Sequence, residues 1–233
     1  MKIRFKIFII CSFLIFSKNI NSQTFGFGCL GLSSFFGGYT FYSYTPDGLN
    51  SYISDLFENN IIDDKTEFGN AEGFLIGANF FRAHFSSMFF SAKGYYQFIF
   101  ERHQYNNIPE HKIDINLNHW GFAFDFGIPI FDFADWKIIE GGIRFVNIKL
   151  TNSITIDSYE TNGSRTGLYL GSGIIIHIIK DYISIEGTAS YNFLKVDNLQ
   201  DKNGSKILSS ENIDFIKSGS LTSTFQLNIG FPL

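Results

Sequence analysis

Apolar and polar residues alternate along the last stretch of the chain, residues 220–233, with the sequence SLTSTFQLNIGFPL. The apolar parity holds Leu221, Phe225, Leu227, Ile229 and Phe231, and the other parity holds Thr222, Thr224, Gln226, Asn228 and Gly230. Because successive side chains of a strand point to opposite faces, this pattern predicts a strand with one apolar and one polar face. Its length suits the closing strand of a membrane β-barrel.

The same alternation recurs along the rest of the chain and predicts seven further strands. They are expected at 25–44, 73–83, 88–102, 112–130, 136–151, 165–179 and 182–196. The connections alternate between long (43–70, 103–111, 152–164, 197–218) and short (83–87, 131–135, 180–181). Long loops at one rim and tight turns at the other are typical of outer-membrane barrels, whose short turns and termini face the periplasm. The predicted fold is therefore all-β: an eight-stranded antiparallel up-and-down transmembrane β-barrel over residues 23–233.

Two of these strands show an apparent slip of parity. In the fourth, Ile113, Ile115 and Leu117 lie on the parity opposite to Trp120. In the fifth, residues 146, 148 and 150 are apolar on the parity opposite to Ile143. We interpret the first slip as a bulge near Asn118, or as the point at which the strand leaves the bilayer.

A different period marks the first long loop. Leu49, Tyr52, Ile53, Leu56 and Phe57 have the spacing of one helical face, which predicts a short amphipathic helix at 47–59. Asp47 is placed to cap its start. The helix could lie on the membrane surface, fold over the barrel mouth, or pack on the first two strands.

The N-terminus has the layout of a secretory signal peptide. Three basic residues within 1–6 precede an apolar run at 7–16, and a short polar segment follows to residue 22. Residues 1–22 are therefore predicted to be removed on export. Cys29 alone then remains of the 2 cysteines, so no intramolecular disulfide is expected.

Composition narrows the function classes. Aromatic residues make up 18% of the 233 residues and charged residues only 17%, which argues against disorder. The sequence contains no run of 18 apolar residues, so a transmembrane helix is not predicted. The chain has a formal net charge of −4, and the leader contains basic but no acidic residues. The chain without its leader is therefore more negative still, and a nucleic-acid partner is not expected.

The polar faces of the strands carry ionisable residues that a closed barrel would hold in its interior: Lys93, Asp125, Glu140, Arg144 and Glu186. Buried charges need partners, so we predict a network that joins Lys93 and Arg144 to some of the three acids. An eight-stranded barrel is just wide enough for side chains to fill it. The network is thus expected to plug and rigidify the lumen, with a gated or conducting role as the weaker alternative.

The signal peptide, the eight alternating strands, the long loops and the final residues FQLNIGFPL together resemble the small OmpA/OmpX-type outer-membrane barrels over residues 24–233. The resemblance implies an outer-membrane location in a Gram-negative cell. It also implies outer-membrane lipid and the barrel-insertion machinery as partners. It does not imply a particular task.

Other chemistry has little support in the sequence. His84 and Ser86 could share a face, but they fall at a short turn and lack an orienting acid. His103 and His111, with Glu101 and Glu110, match no zinc spacing. Interior residues His119 and His177 are expected to be hydrogen-bonded rather than ligands, and the segment 171–173 is no phosphate loop because no helix follows it.

The sequence thus favours a non-enzymatic outer-membrane barrel without cofactor, catalytic residues or metal. Its role would be structural, or surface interaction through four long loops with an unknown extracellular ligand. Two alternatives stay open: a barrel-borne enzyme that modifies lipid A, and a soluble exported lipocalin-like binding protein. The lipocalin would turn its apolar face inward and its polar face to water.

Overall fold

The computed structural model describes residues 33–85, 87–180, 182–208 and 213–230. The predicted signal peptide at 1–22, the first part of the first predicted strand and the last three residues lie outside this range. The described elements are β1 (Ser34–Ser43), α1 (Asp47–Glu58), β2 (Asn70–His84), β3 (Phe89–Gln104), β4 (Lys112–Phe131), β5 (Ala134–Asn152), β6 (Asp157–Glu160), β7 (Arg165–Ile179), β8 (Ile183–Asn192) and β9 (Ser220–Gly230).

Eight strands close into an antiparallel barrel. Within the ring, β1 pairs with β2, β2 with β3, β3 with β4 and β4 with β5. β5 then pairs with β7, β7 with β8, and β8 with β9. The ring closes where β9 pairs with β1, with Ser34 opposite Gly230 and Ser43 opposite Leu221. The four-residue β6 lies outside the ring and pairs with the end of β5. The predicted eight-stranded barrel with a helix in its first long loop is confirmed.

The two rims of the barrel differ. The short connections after β2, β4 and β7 lie at one rim, here the short-turn rim, together with Ser34 and Gly230. The connections that hold α1, β6 and residues 193–219 lie at the other, the long-loop rim. Among the described residues, no helix has the length and apolar content needed to cross a membrane.

In the half of the barrel nearer the short-turn rim, most large apolar side chains point outward and most polar side chains point inward. Phe124 is 71% exposed on the outer wall, while the adjacent inward residue Asp125 is 3% exposed. The same contrast holds between Phe225 and Thr224 on β9. This arrangement is opposite to the lipocalin alternative, in which the apolar face would line the interior.

Toward the long-loop rim the pattern reverses, and the predicted bulge near Asn118 is wrong. Asn118 pairs directly with Asn147, and the pairing of β4 with β5 runs without a shift from Ile113 to Phe126. The inward parity is continuous, so the apparent slip is a change of side-chain type. The inward positions that become apolar are Ile113, Ile115, Leu117, Val146, Ile148 and Leu150.

The outward positions change in the opposite sense at the same height. Above Trp120 the outward residues of β4 are Asn118, Asn116 and Asp114, and above Phe145 those of β5 include Asn147 and Lys149. The Trp120 and Phe145 rings stack on each other at the boundary, with centroids 4.2 Å apart. On β4 and β5, the upper part of the barrel therefore has a polar outer wall over an apolar core.

Helix α1 closes this apolar core from above. Leu49, Ile53 and Leu56 are buried in the same cluster as the inward residues of β4 and β5. Of the three predicted positions for the helix, the structure shows the one over the barrel mouth. Pro46, not Asp47, precedes the first helical residue, and no side chain caps the helix start. Instead, Asp47 forms an ion pair with Lys217.

The connection from β8 to β9 supplies the rest of the lid. The strand predicted at 182–196 ends at Asn192, where its register with Tyr169 of β7 and Ser220 of β9 ends. The chain then folds inward over the mouth. Its buried apolar residues in the cluster are Leu194, Val196, Leu199, Leu208, Phe215 and Ile216. We call α1 and this connection, with the core they cover, the cap.

Glu101 fastens the return from α1 to the barrel. Its carboxylate accepts hydrogen bonds from the Tyr44 hydroxyl (2.9 Å) and from the backbone N–H groups of Gly69 (3.1 Å) and Asn70 (3.0 Å). Burial, reinforced by the Glu101 carboxylate, raises the pKa of Tyr44 well above its usual value. The hydroxyl therefore stays protonated and remains a donor.

Replacing Leu49 by alanine should destabilise the cap by about 2–5 kcal/mol, because it removes a fully buried side chain from a packed core. Limited proteolysis of the refolded protein should show faster cleavage in the loop at 59–69. Phe57→Ala is the matched control, since Phe57 lies on the same helix but is 42% exposed. Equal protease resistance of the two variants would show that α1 does not hold the cap.

Candidate functional site

The five charged residues predicted to face the interior lie on four different strands. Each points inward and is at most 6% exposed, and they comprise Lys93 on β3, Asp125 on β4, Glu140 and Arg144 on β5, and Glu186 on β8. Their positions follow from the parity of each strand, because residues opposite outward aromatic side chains must face the lumen.

Lys93 lies among all three carboxylates. Its Nζ is 2.8 Å from Glu140 Oε2, 3.6 Å from Asp125 Oδ1 and 3.7 Å from Glu186 Oε1. An ammonium group has three donors, so one lysine can serve several acids in this way.

A second lysine, which the sequence analysis did not include, completes the cluster. Lys137 is fully buried, and its Nζ lies 2.7 Å from Glu140 Oε2 and 3.4 Å from Asp125 Oδ2. It also donates a hydrogen bond to Glu186. The charge cluster thus consists of Lys93, Lys137, Asp125, Glu140 and Glu186.

A β-bulge explains why Lys137 was missed. Lys137 and Glu140 have opposite parity, yet both face inward, because the pairing of β5 shifts between them on its β4 and β7 sides. The sequence does contain a signal. Lys137 lies between the outward Trp136 and the apolar pair at 138–139, where an extra residue is accommodated.

Neutral donors also bind two of the carboxylates. Ser91 donates to Asp125 Oδ2 (2.8 Å), and the Tyr169 hydroxyl donates to Glu140 Oε1 (3.0 Å). Charges buried in a barrel core are tolerated only with such partners. Asp125 Oδ1 is buried without a hydrogen bond from the described residues and lies 3.6 Å from Lys93 Nζ, so the arrangement is a largely paired structural network around two cations and three anions.

Arg144 lies one layer closer to the cap and binds neutral groups. Its Nε donates to the Tyr95 hydroxyl (3.0 Å), and its Nη1 donates to Asn192 and to Thr222 Oγ1 (3.3 Å). The guanidinium also stacks 4.0 Å above the Tyr169 ring. Arg144 is therefore linked to the charge cluster through Tyr169, without a direct ion pair to its acids among the described residues.

Side chains leave little room in the lumen. Two interior cavities border Arg144, and they measure about 20 and 10 Å³, each room for about one water molecule. Below the charge cluster, His177 Nε2 lies 2.9 Å from Asp135 Oδ2. Above it, His119 Nδ1 lies 3.2 Å from the Leu117 carbonyl oxygen, and the apolar core begins there.

The remaining candidates of the sequence form no site in the described part of the chain. Ser86 lies outside it, so the pair with His84 has no structural account. His103 contacts Glu101, while His111 contacts Asn106. Within the described ranges, no group of three or more histidine, cysteine or acidic residues could hold a metal ion. Residues 171–173 lie within β7.

No protein-family model and no curated protein matches the sequence. Solved structures with a similar backbone include Ail, the attachment invasion locus protein of Yersinia pestis, crystallised with the heparin analogue sucrose octasulfate. The identity is 15% and the TM-score 0.46, over 86% of this chain and 97% of Ail. Neisserial surface protein A has 9% identity and a TM-score of 0.48 over the same shares. The assignment of the fold rests on this chain's own strand pairing.

Replacing Lys137 by methionine should cost about 3–5 kcal/mol of stability, because it leaves three buried carboxylates with one lysine. Urea unfolding of the refolded barrel, followed by the heat-dependent shift on gels, measures the loss. Lys149→Met is the matched control, since Lys149 is exposed on the outer wall of β5 near the long-loop rim.

A second variant separates charge from packing. Adding Glu186→Gln to Lys137→Met should recover part of the loss, since one unpaired anion disappears with the cation. If the double variant were no more stable than Lys137→Met, the ion pairs would not be what holds this layer together.

Proposed function

We propose that the chain is a non-enzymatic integral outer-membrane barrel with a closed lumen, which acts through the cap that it presents outside the cell. The observation that carries the proposal is the reversal of polarity at the level of Trp120 and Phe145. On β4 and β5 the outward positions below that level are apolar and the inward ones mostly polar or small, and above it the opposite holds. A surrounding medium that changes from lipid to water accounts for both halves.

The outer wall below the reversal supports the membrane location. It exposes a continuous belt of large apolar side chains, far more than a water-soluble monomer leaves uncovered. Members from every barrel strand include Phe35, Phe74, Phe98, Phe124, Ile143, Leu170, Ile185 and Phe225. Closure of the sheet leaves no strand edge within the belt, which is the condition for a strand structure in hydrocarbon.

The two rims support the orientation. Short turns and both described chain ends share one rim, which we assign to the periplasm. The long loops and the cap then face the outside. Export would use the predicted signal peptide at 1–22, and the outer-membrane insertion machinery would receive the strand at 220–233.

The filled interior supports a closed lumen. The charge cluster, the Arg144 layer and the cap follow one another along the barrel axis, and the two cavities beside Arg144 hold no more than single waters. A network of ion pairs between β3, β4, β5 and β8 serves to hold the strands together. The surface left for interaction is the outside of the cap, where Asp55, Phe57 and Glu58 of α1 are exposed.

Refolded protein should withstand alkaline washing of membranes, run faster on gels before heating, and show no discrete conductance steps in planar bilayers. Arg144→Ala is the comparison, because it empties the layer between the charge cluster and the cap.

Recovery of the protein in the soluble fraction would exclude the membrane location. Discrete steps in the unmodified protein would exclude the closed lumen. A changed acyl count in lipid A from expressing cells would exclude the non-enzymatic role.

A further inference from the structure

A trough crosses the lipid-facing wall over β7, β8 and β9. Its floor is a row of small outward residues that pair directly across the three strands: Ser172 with Ala189, and Ala189 with Ser223. The trough has a volume of about 580 Å³ and is walled by larger residues such as Ile174 and Phe225. The Trp136 indole lies at its lower end and donates a hydrogen bond to Ser172 (3.2 Å).

A second pocket continues the trough toward the long-loop rim. It measures about 310 Å³, shares Ser223 with the trough, and has Phe41 and Leu221 on its apolar side. Its upper end is polar, because Ser43 and Asn70 pair across β1 and β2 above the pair of Phe41 and Glu72. The two pockets thus form one groove that is apolar within the belt and polar at its upper edge.

Glu72 gives this upper end a negative charge. It is exposed on the outer wall, in register with Phe41 on one side and Phe100 on the other. Within the described ranges, no lysine or arginine forms an ion pair with Glu72. The Tyr39 side chain lies within reach of its carboxylate. A carboxylate at the edge of an apolar belt favours a cationic group from the surrounding membrane.

We propose that this groove binds a membrane lipid that has an ammonium head group, with the ammonium at Glu72 and one acyl chain along Ser223, Ala189 and Ser172. The proposal rests on the membrane location proposed above. The groove runs from β2 to β5 across five strand spacings, about 24 Å around the wall, which suits a long extended acyl chain. Because strands of such barrels are tilted, a path across them descends from the rim into the belt.

Trp136 provides a direct probe of the trough. The chain has 2 tryptophans, so Trp120→Phe leaves Trp136 as the sole indole. This protein is reconstituted in phosphatidylcholine vesicles that contain phosphatidylethanolamine, phosphatidylglycerol or phosphatidylcholine with bromine atoms on the acyl chains. Quenching of Trp136 fluorescence is measured against the mole fraction of brominated lipid.

The ethanolamine lipid should reach half-maximal quenching at a mole fraction lower than the other two by about two- to fivefold, the range of one exposed ion pair. Glu72→Gln should abolish the difference between head groups. Glu67→Gln, which removes an exposed acid from the first long loop, should not. Ala189→Leu should weaken quenching by all three lipids, because it fills the floor of the trough.

Three results would overturn the proposal. If quenching depended only on the mole fraction of brominated lipid and not on its head group, the lipid at the trough would be ordinary boundary lipid. Weak quenching together with a dimer in analytical ultracentrifugation would show that a second copy of the chain covers the groove. A head-group preference that survives Glu72→Gln would place the ammonium elsewhere. Failure of the membrane location is distinguishable, since then no brominated lipid would quench Trp136.

Discussion

Pairing of the first strand with the last is the constraint on which the rest of the structure depends. Ser34–Ser43 and Leu221–Gly230 form an unbroken antiparallel ladder, so the sheet has no edge within the apolar belt. Without it, two rows of backbone N–H and C=O groups would face hydrocarbon. Closure also creates an enclosed interior, which restricts the side chains that the inward positions can hold. Lys93 and Lys137 can be buried only because the ring brings acids from β4, β5 and β8 within reach.

Much of the fold could be predicted from the sequence because alternation is a local property. The strand at 165–179 has the predicted bounds, since its alternation is clear and polar loops flank it. The strand predicted at 182–196 was too long, because alternation continues through Leu194 and Val196 after the pairing with β7 and β9 has ended. Whether a strand has a partner is a property of the whole sheet, which one segment cannot show.

The interior was predictable only in part, for two physical reasons. Parity identifies inward residues only while it is unbroken, so the bulge between Lys137 and Glu140 concealed one of the two lysines of the cluster. The cap was concealed differently. Its apolar residues in 193–219 are scattered among polar ones with neither a period of two nor one of 3.6. They come together through the path of the loop, and the pattern that looked like a slip at Leu117 and Val146 was the lower half of that core.

The cap also affects the retention of the protein in the membrane. Its apolar core joins α1, the tops of β4 and β5 and the connection to β9, and it lies on the far side of the belt from the short turns. In the orientation proposed above, these segments would cross the bilayer during insertion before they pack together. Withdrawal of any hairpin would first require that core to come apart in water. The cap therefore adds a kinetic barrier to extraction, separate from the affinity of the belt for lipid.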